Sequence, residues 1–444
     1  MTNRLPQAAL IMPAILFCEM LALGADGPFL GAVAAVAEIA GAMIVLWLLR
    51  PGMAFWRAFY MPLLAAAAAW AWLASAMMPG PDMFGRVWGA PDLLPSALAR
   101  FLGGCAVLLA SAAVGWRRRG LRLSIDYWLL LGLIQLAVAL FLRQSDPNSV
   151  WGVDKGFLRD RFTGTFVNAN AAGCLYAMLA TLALGRGIML WRSRFAPASL
   201  MTQVVAPVAL LGGLGACAIT GSRTALVAGL AVLFLLAVQF GWTEYRNRAK
   251  GNAATVFAAT AMAILLVLAL VGESTAERFR QVDQDSGLRV EIWSFYARLA
   301  GSAPLGHGPG GLEDAALRAY ASVNEANMLW FVNSAHDIFL SLMINGGWPY
   351  LLLMIMLTGA LLFPLRHRQA REQGATLASA IGALAIMLVC SSVDIALDMP
   401  GMAALGAMLL GLVWGAAASA VHDDRRNQSV PARSRASTSG AAGV

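Results

Sequence analysis

Charge is the scarcest commodity in this chain of 444 residues: only 13% are Asp, Glu, Lys or Arg, against about 25% in an ordinary soluble domain. With 59% hydrophobic residues, a soluble fold would have far more apolar surface than a core could hold. A membrane protein is indicated instead. Cysteine is also sparse, and Cys18, Cys105, Cys174, Cys217 and Cys390 lie inside apolar segments without CxxC spacing. That pattern offers neither a zinc site nor a disulfide framework. Histidine numbers four, with no second His or Cys at ligand spacing, so no metal is called for and no cofactor either. No repeat of fixed period is visible, and the apolar segments show no inverted pair of Gly/Pro-broken helices of the kind that marks a carrier.

What is present is a succession of long apolar runs. A membrane span takes about 20 such residues of helix. Twelve candidates follow from apolar runs and their breakers: 7–24, 29–49, 57–78, 93–115, 124–142, 170–191, 203–220, 223–240, 254–271, 336–363, 374–394 and 400–420. The expected fold is therefore all-α, a polytopic integral membrane protein with about 12 transmembrane helices. The segment Met1 to Ala25 resembles a signal peptide, but another apolar segment follows it, so it reads as a retained first span.

Orientation comes from the basic residues of alternate connections. One set, from Arg4 through the Arg117–Arg119 cluster to Arg425 and Arg435, holds 20 of the 32 Lys and Arg. That side is cytoplasmic, which puts both termini inside and makes the long connections 143–169 and 272–335 external. The transmembrane domain is expected over 1–421, with a disordered Ser-, Ala- and Arg-rich tail over 422–444. The net charge of +8 is spread over helix ends rather than gathered on one face, so the partner it implies is the bilayer and not nucleic acid.

Several polar residues sit where an external site would need them. The loop Arg159 to Gly173 puts Arg161, Asn168 and Asn170 at the mouth of a helix, where backbone N–H groups favour an anion and arginine adds a forked donor. The alternative is that Asn168 or Asn170 only caps that helix. In the turn Thr220-Gly-Ser-Arg223, Ser222 is a natural N-cap and Arg223 lies in the first turn of the next helix. The helix dipole disfavours a cation there, so a bound anion or a carboxylate is wanted nearby, unless Arg223 merely snorkels.

The stretch Ser286 to Trp293, containing Arg289, reads as a short amphipathic helix. The run Pro304-Leu-Gly-His-Gly-Pro-Gly-Gly311 lacks a preceding strand and a P-loop lysine, so it is a turn returning the loop to the membrane and not a nucleotide site. His336 stands at the outer start of a span and is a natural proton acceptor near neutral pH; a capping or interfacial role is the alternative. Arg100, Glu19 and Glu38 are ionisable residues inside spans, which usually face a cavity or a partner. Arg100 is a candidate substrate contact or the partner of Glu19 or Glu38. Asp394 and Asp398, in the last external turn, complete a ring of polar groups on one side.

These motifs, in this order, resemble the O-antigen ligase and polymerase family of bacterial membrane glycosyltransferases. The resemblance rests on Gly164 with Asn168 and Asn170, on Ser222-Arg223, on Arg289 with Trp293, on Pro304-Leu-Gly306 through Gly310, and on His336 with Gly346-Gly347. It covers roughly Phe162 to Leu352, and the first five apolar segments match only in character. Where the family has Asn after the histidine, this chain has Asp337.

The resemblance implies a helical fold with an external (periplasmic) active site in the bacterial inner membrane, in agreement with the topology above. It also implies that Arg223 and Arg289 hold the diphosphate of an undecaprenyl-diphosphate-linked glycan donor and that His336 serves the acceptor hydroxyl, as catalytic residues. The expected reaction is a metal-independent, inverting transfer to lipid A–core, with Arg161, Asn168, Asn170, Arg100 and Asp394 binding substrate. A polysaccharide polymerase, whose acceptor is a second lipid-linked glycan, and a protein O-oligosaccharyltransferase share the same motifs. A transporter or flippase would instead gather its polar groups near the bilayer midplane.

Overall fold

The computed structural model describes residues 4–77, 91–159, 161–192, 204–246, 282–330, 332, 334–371 and 374–429. The protein is an all-α polytopic membrane protein. Its helices are α1 (Leu5–Leu21), α2 (Pro28–Leu49), α3 (Met53–Ala74), α4 (Leu94–Gly115), α5 (Gly120–Ser145), α6 (Ala169–Arg192), α7 (Ala206–Thr220), α8 (Arg223–Arg246), α9 (Val282–Ser302), α10 (Leu312–Ala319), α11 (Val323–Leu329), α12 (Ile338–Leu362), α13 (Arg368–Arg371), α14 (Ala375–Ser391) and α15 (Pro400–Ser429). Among the described residues seven helices, α2, α4, α5, α6, α8, α12 and α15, are long and apolar enough to cross a membrane. Eleven of the twelve apolar runs read from the sequence coincide with helices; the run 254–271 lies outside the described residues.

The helices form because these runs carry little to interrupt them, and many apolar side chains remain on the outside. Phe29 (77%), Val36 (68%) and Trp47 (60%) of α2 stand exposed, as residues facing lipid tails do. Polar backbone has nowhere to hide in that environment, which is why helices carry the span. The two ends of the bundle differ. At one end Phe55, Phe59, Trp116 and Trp414 pack ring against ring, and Arg186 of α6 grips Asp126 of α5 through Nε and Nη2 at 2.5 and 2.6 Å. At the other end lie the loop 146–168 and the segment α9–α11.

Two expectations change in extent. The helix expected over Ser286–Trp293 runs from Val282 to Ser302, because nothing breaks it before the Pro304 turn. The tail expected to be disordered from His422 begins as helix, since α15 continues to Ser429; residues 430–444 lie outside the described ones. The inner face of α9, with Ile292, Phe295, Tyr296, Leu299 and Ala300, buries itself against α10, α11 and the start of α12. Spacing of 3, 4, 7 and 8 residues puts those side chains on one stripe.

The loop end is held to the bundle through a break in α12. Gly347 takes φ 68°, ψ −169° and interrupts the helix two residues before Pro349. The backbone groups freed by the break find partners in the turn 304–307 and in α3. The N–H of Trp348 donates to Pro304 C=O (2.9 Å), that of His307 to Ile344 C=O (2.6 Å), and Trp72 Nε1 to Gly346 C=O (2.7 Å). Backbone meets backbone so closely that a Cβ on Gly306 would lie 2.6 Å from Gly347 N, and one on Gly347 would lie 2.3 Å from Pro304 O. The glycine run is thus the return turn expected from its sequence.

Candidate functional site

The loop between α5 and α6 folds on itself before it presents any functional group. A two-stranded hairpin pairs Ser149 with Asp154 and Val150 with Val153, and Trp151 Nε1 ties its tip to Leu21 C=O at the end of α1 (2.8 Å). Lys155 is 5% exposed and its Nζ donates to the carbonyls of Pro147 and Arg161 (2.8 and 3.4 Å). Arg161 is thereby fixed in the chain that leads to α6.

Asn168 then starts α6 by accepting the N–H groups of Asn170 and Ala171 on its Oδ1, both at 2.9 Å. The capping alternative therefore holds for Asn168. Asn170 does something else. Its Oδ1 accepts from Arg161 Nη2 (3.2 Å), and its Nδ2 donates to Asp394 Oδ2 (2.6 Å). Arg161 also sends Nε to the carbonyl of Thr220, the last residue of α7 (3.1 Å).

The turn Thr220–Ser222 presses against α6 one turn below Asn170. A Cβ on Gly173 would come 2.7 Å from Ser222 Cβ, so glycine is what permits the approach. Arg223 begins α8 directly after this turn. It stands three residues after Thr220, whose carbonyl accepts Arg161 Nε.

Asp394, in the turn between α14 and α15, is the centre of the arrangement. It is 4% exposed; a carboxylate so buried needs partners, and it has them. Besides Asn170, its Oδ2 receives Arg289 Nη2 of α9 at 2.9 Å. His336 turns Nδ1 toward Asp394 Oδ1 at 3.7 Å. A hydrogen-bonded path therefore runs from Thr220 through Arg161, Asn170 and Asp394 to Arg289, with His336 alongside.

His336 is not a helix cap, because Asp337 fills that position by accepting the N–H of Leu340 (2.8 Å). Its own backbone is left-handed, φ 51°, which for a residue with a Cβ costs roughly 1–2 kcal/mol. Trp293 Nε1 donates to its carbonyl (3.2 Å) and Ser334 Oγ accepts its N–H (3.1 Å). Two such bonds, at about 1 kcal/mol each, are of the size needed to hold that conformation. Burial lowers the pKa of the imidazole, with the Asp394 carboxylate acting to raise it and Arg289 to lower it.

Asp398 lies one turn beyond Asp394. It keeps open surface, yet the protein around it strips water from the carboxylate and raises its pKa to about 6, with Asp394 and Asp337 adding to the rise and hydrogen bonds from Ser334 and Ser341 opposing it.

Arg100 stands apart. Its stem lies on Gly31 of α2. Among the described residues it forms no ion pair with Glu19 or Glu38, so neither pairing expected from the sequence is made, and no hydrogen bond joins it to the Asp394 cluster. Glu19 and Glu38 are both 5% exposed, with Glu38 packed on Gly103 of α4. Among the described residues no group of three or more His, Cys, Asp or Glu side chains is arranged to hold a metal ion.

The fold and this cluster define a polytopic membrane protein with arginines, a histidine and a buried carboxylate gathered at one end of the bundle. Residues 207–355 match the family described as O-Antigen ligase. The matched third contains Arg223, Arg289 and His336, whereas Arg161, Asn168, Asn170 and Asp394 reach the site from outside it. No curated protein matches the chain.

Proposed function

We propose that the protein is a membrane glycosyltransferase of the ligase type, which moves a glycan from undecaprenyl diphosphate to lipid A–core at the periplasmic face of the inner membrane. The observation that carries this reading is the meeting of Arg289 and His336 at Asp394. The reaction needs positive charge at the leaving group and a base at the nucleophile, and the site has both on opposite sides of one carboxylate.

His336 is the base. In this scheme Nδ1, which faces Asp394 Oδ1 across 3.7 Å, carries the proton and leaves the Nε2 lone pair for the acceptor hydroxyl. The hydroxyl oxygen forms its bond to the anomeric carbon as Nε2 takes the proton. The bond from that carbon to the diphosphate oxygen breaks on the opposite face, so the configuration inverts. Asp394 stabilises the imidazolium that results. The departing diphosphate collects negative charge, where preorganised guanidinium groups act most strongly. Arg289 gives one nitrogen to Asp394 and keeps its others for the phosphate, since guanidinium carries five N–H donors. Arg223, at the start of α8, is the second phosphate ligand, with Arg161 and Asn170 behind it, and in this scheme the arginines supply the charge that a metal would otherwise bring.

The test is reconstitution of purified protein with a short undecaprenyl-diphosphate glycan, offering lipid A–core and unmodified donor as separate acceptors. Transfer to lipid A–core that is lost in His336→Ala is the expected result. Elongation of the donor alone would replace the ligase by a polymerase, and no transfer to either acceptor by folded protein would overturn the reading.

A further inference from the structure

We infer that Asp398 is a positioning residue for His336, holding the histidine's left-handed backbone in place through the hydroxyl of Ser334. The inference rests on the role of His336 proposed above. Three observations lead to it. First, the conformation of His336 is one that a residue with a side chain avoids, so something around it must hold it there. Second, the N–H of His336 ends on Ser334 Oγ, and that same hydroxyl gives its proton to Asp398 Oδ2. Third, Ser341, on the first turns of α12, also directs its hydroxyl toward Asp398 Oδ2 (3.5 Å). Asp398 thus takes hold of the chain on both sides of the histidine.

The chemistry of the link is directional. A serine hydroxyl has one proton to give and lone pairs to receive. An ionised carboxylate can only accept, so it draws the Ser334 proton toward itself and leaves a lone pair facing the His336 N–H. Without the carboxylate the hydroxyl is free to rotate, and the peptide of His336 loses a fixed acceptor. The ring would then leave the position from which Nδ1 meets Asp394. The turn between α14 and α15 therefore works on the histidine twice: Asp394 faces its ring, and Asp398, four residues on, fixes its backbone. Asp398 itself needs no contact with substrate.

The experiment uses the full-length protein and the variants Asp398→Ala, Asp398→Asn, Ser334→Ala, Ser334→Thr and the double variant Asp398→Ala/Ser334→Ala. A displacement of about 1 Å at a catalytic group can cost ~10²-fold in rate. Asp398→Ala and Ser334→Ala should each lower kcat by about that factor with KM unchanged, and the double variant should be no slower than either, because residues of one link do not contribute independently. Ser334→Thr, which keeps the hydroxyl, should recover most of the rate. Additive losses, a raised KM at unchanged kcat, or a threonine variant as slow as the alanine variant would overturn the inference.

A second readout does not depend on transfer. Hydrogen–deuterium exchange over the peptide spanning Ser334 to Leu340 should quicken at the His336 amide by about tenfold or more in Ser334→Ala and Asp398→Ala, a change that corresponds to the loss of one hydrogen bond. Unchanged exchange there would also overturn it. Should Asp398→Ala fail to fold, Asp398→Asn takes its place in both measurements. If wild-type protein transferred no glycan, the proposed function would fall while the exchange data still judged the link.

Discussion

Two arginine–carboxylate pairs stand at opposite ends of the bundle, and they are built differently. Arg186 gives Nε and Nη2 to both oxygens of Asp126, and its side chain is 7% exposed. Arg289 gives a single nitrogen to one oxygen of Asp394 and is 32% exposed. The first pair is bidentate and its arginine is almost wholly buried, so little of it opens toward a ligand. The second is half-used, because Asp394 is shared among Asn170, Arg289 and His336 while the guanidinium still opens outward. Geometry of this kind separates an ion pair that joins helices from one that waits for a substrate, although both look alike in a list of charges.

The sharpest way to break that contrast is to remove each arginine. Arg289→Ala should lower the rate of glycan transfer by about 10²–10³-fold, as loss of one preorganised charge donor does, with little change in thermal unfolding. Arg186→Ala should do the reverse. Asp126 is 21% exposed, so leaving it without its partner costs about 1–3 kcal/mol, and the unfolding midpoint and the yield of folded protein should drop while surviving molecules keep their kcat. If Arg186→Ala abolished transfer in folded protein, or Arg289→Ala mainly unfolded it, the distinction would be wrong.

A titration sharpens the comparison further. His336 must be neutral to accept a proton, and its pKa lies below the usual 6.5. The rate should therefore stay level from pH 8 down to 7 and fall only on the acid side of 6.5. Asp398 acts in the opposite sense on stability. Its folded pKa of about 6 lies above the ordinary aspartate value, so its stabilising contribution is full below the unfolded pKa and is lost as pH rises through 6. Asp398→Asn should lose less stability than wild type as pH rises from 5 to 7.5, by a small margin because the carboxylate keeps open surface. A melting difference independent of pH would contradict this.

The smallest effect belongs to Asn168, whose side chain caps α6 and is not the hub. Asn168→Ala should cost about 1 kcal/mol of stability and leave KM for the donor unaltered, whereas Asn170→Ala, which severs Arg161 from Asp394, should raise it. Equal effects on KM from both substitutions would mean that Asn168 also touches the substrate.

The helices were legible from the sequence because each depends on a local run of apolar residues, and a run is visible without its neighbours. The members of the cluster were legible too, since arginine, asparagine, aspartate and histidine at helix mouths are costly and conspicuous. Their connections were not. Asn170 to Asp394 spans 224 residues of chain and Arg186 to Asp126 spans 60, and no periodicity reports a contact across such distances. For that reason Arg186 counted only toward topology, and the carboxylate pairing that stood as one alternative for Arg100 is not made among the described residues. Asp398 was visible as part of a polar ring, but its hold on His336 passes through a serine that nothing in the local pattern distinguishes.

The break at Gly347 has a consequence for how the chain assembles. Only eight residues, Ile338 to Asn345, lie between the start of α12 and the Gly346-Gly347 pair, roughly 12 Å of helix at 1.5 Å per residue. Their open carbonyls and amides are closed by the turn 304–307 and by Trp72, both earlier in the chain. By the time α12 enters the bilayer its two sealing partners have already been synthesised, and the histidine can be set in place only when all three meet. Setting the histidine is therefore a docking event between segments that are each unremarkable alone, and the site is complete once the turn carrying Asp394 joins them.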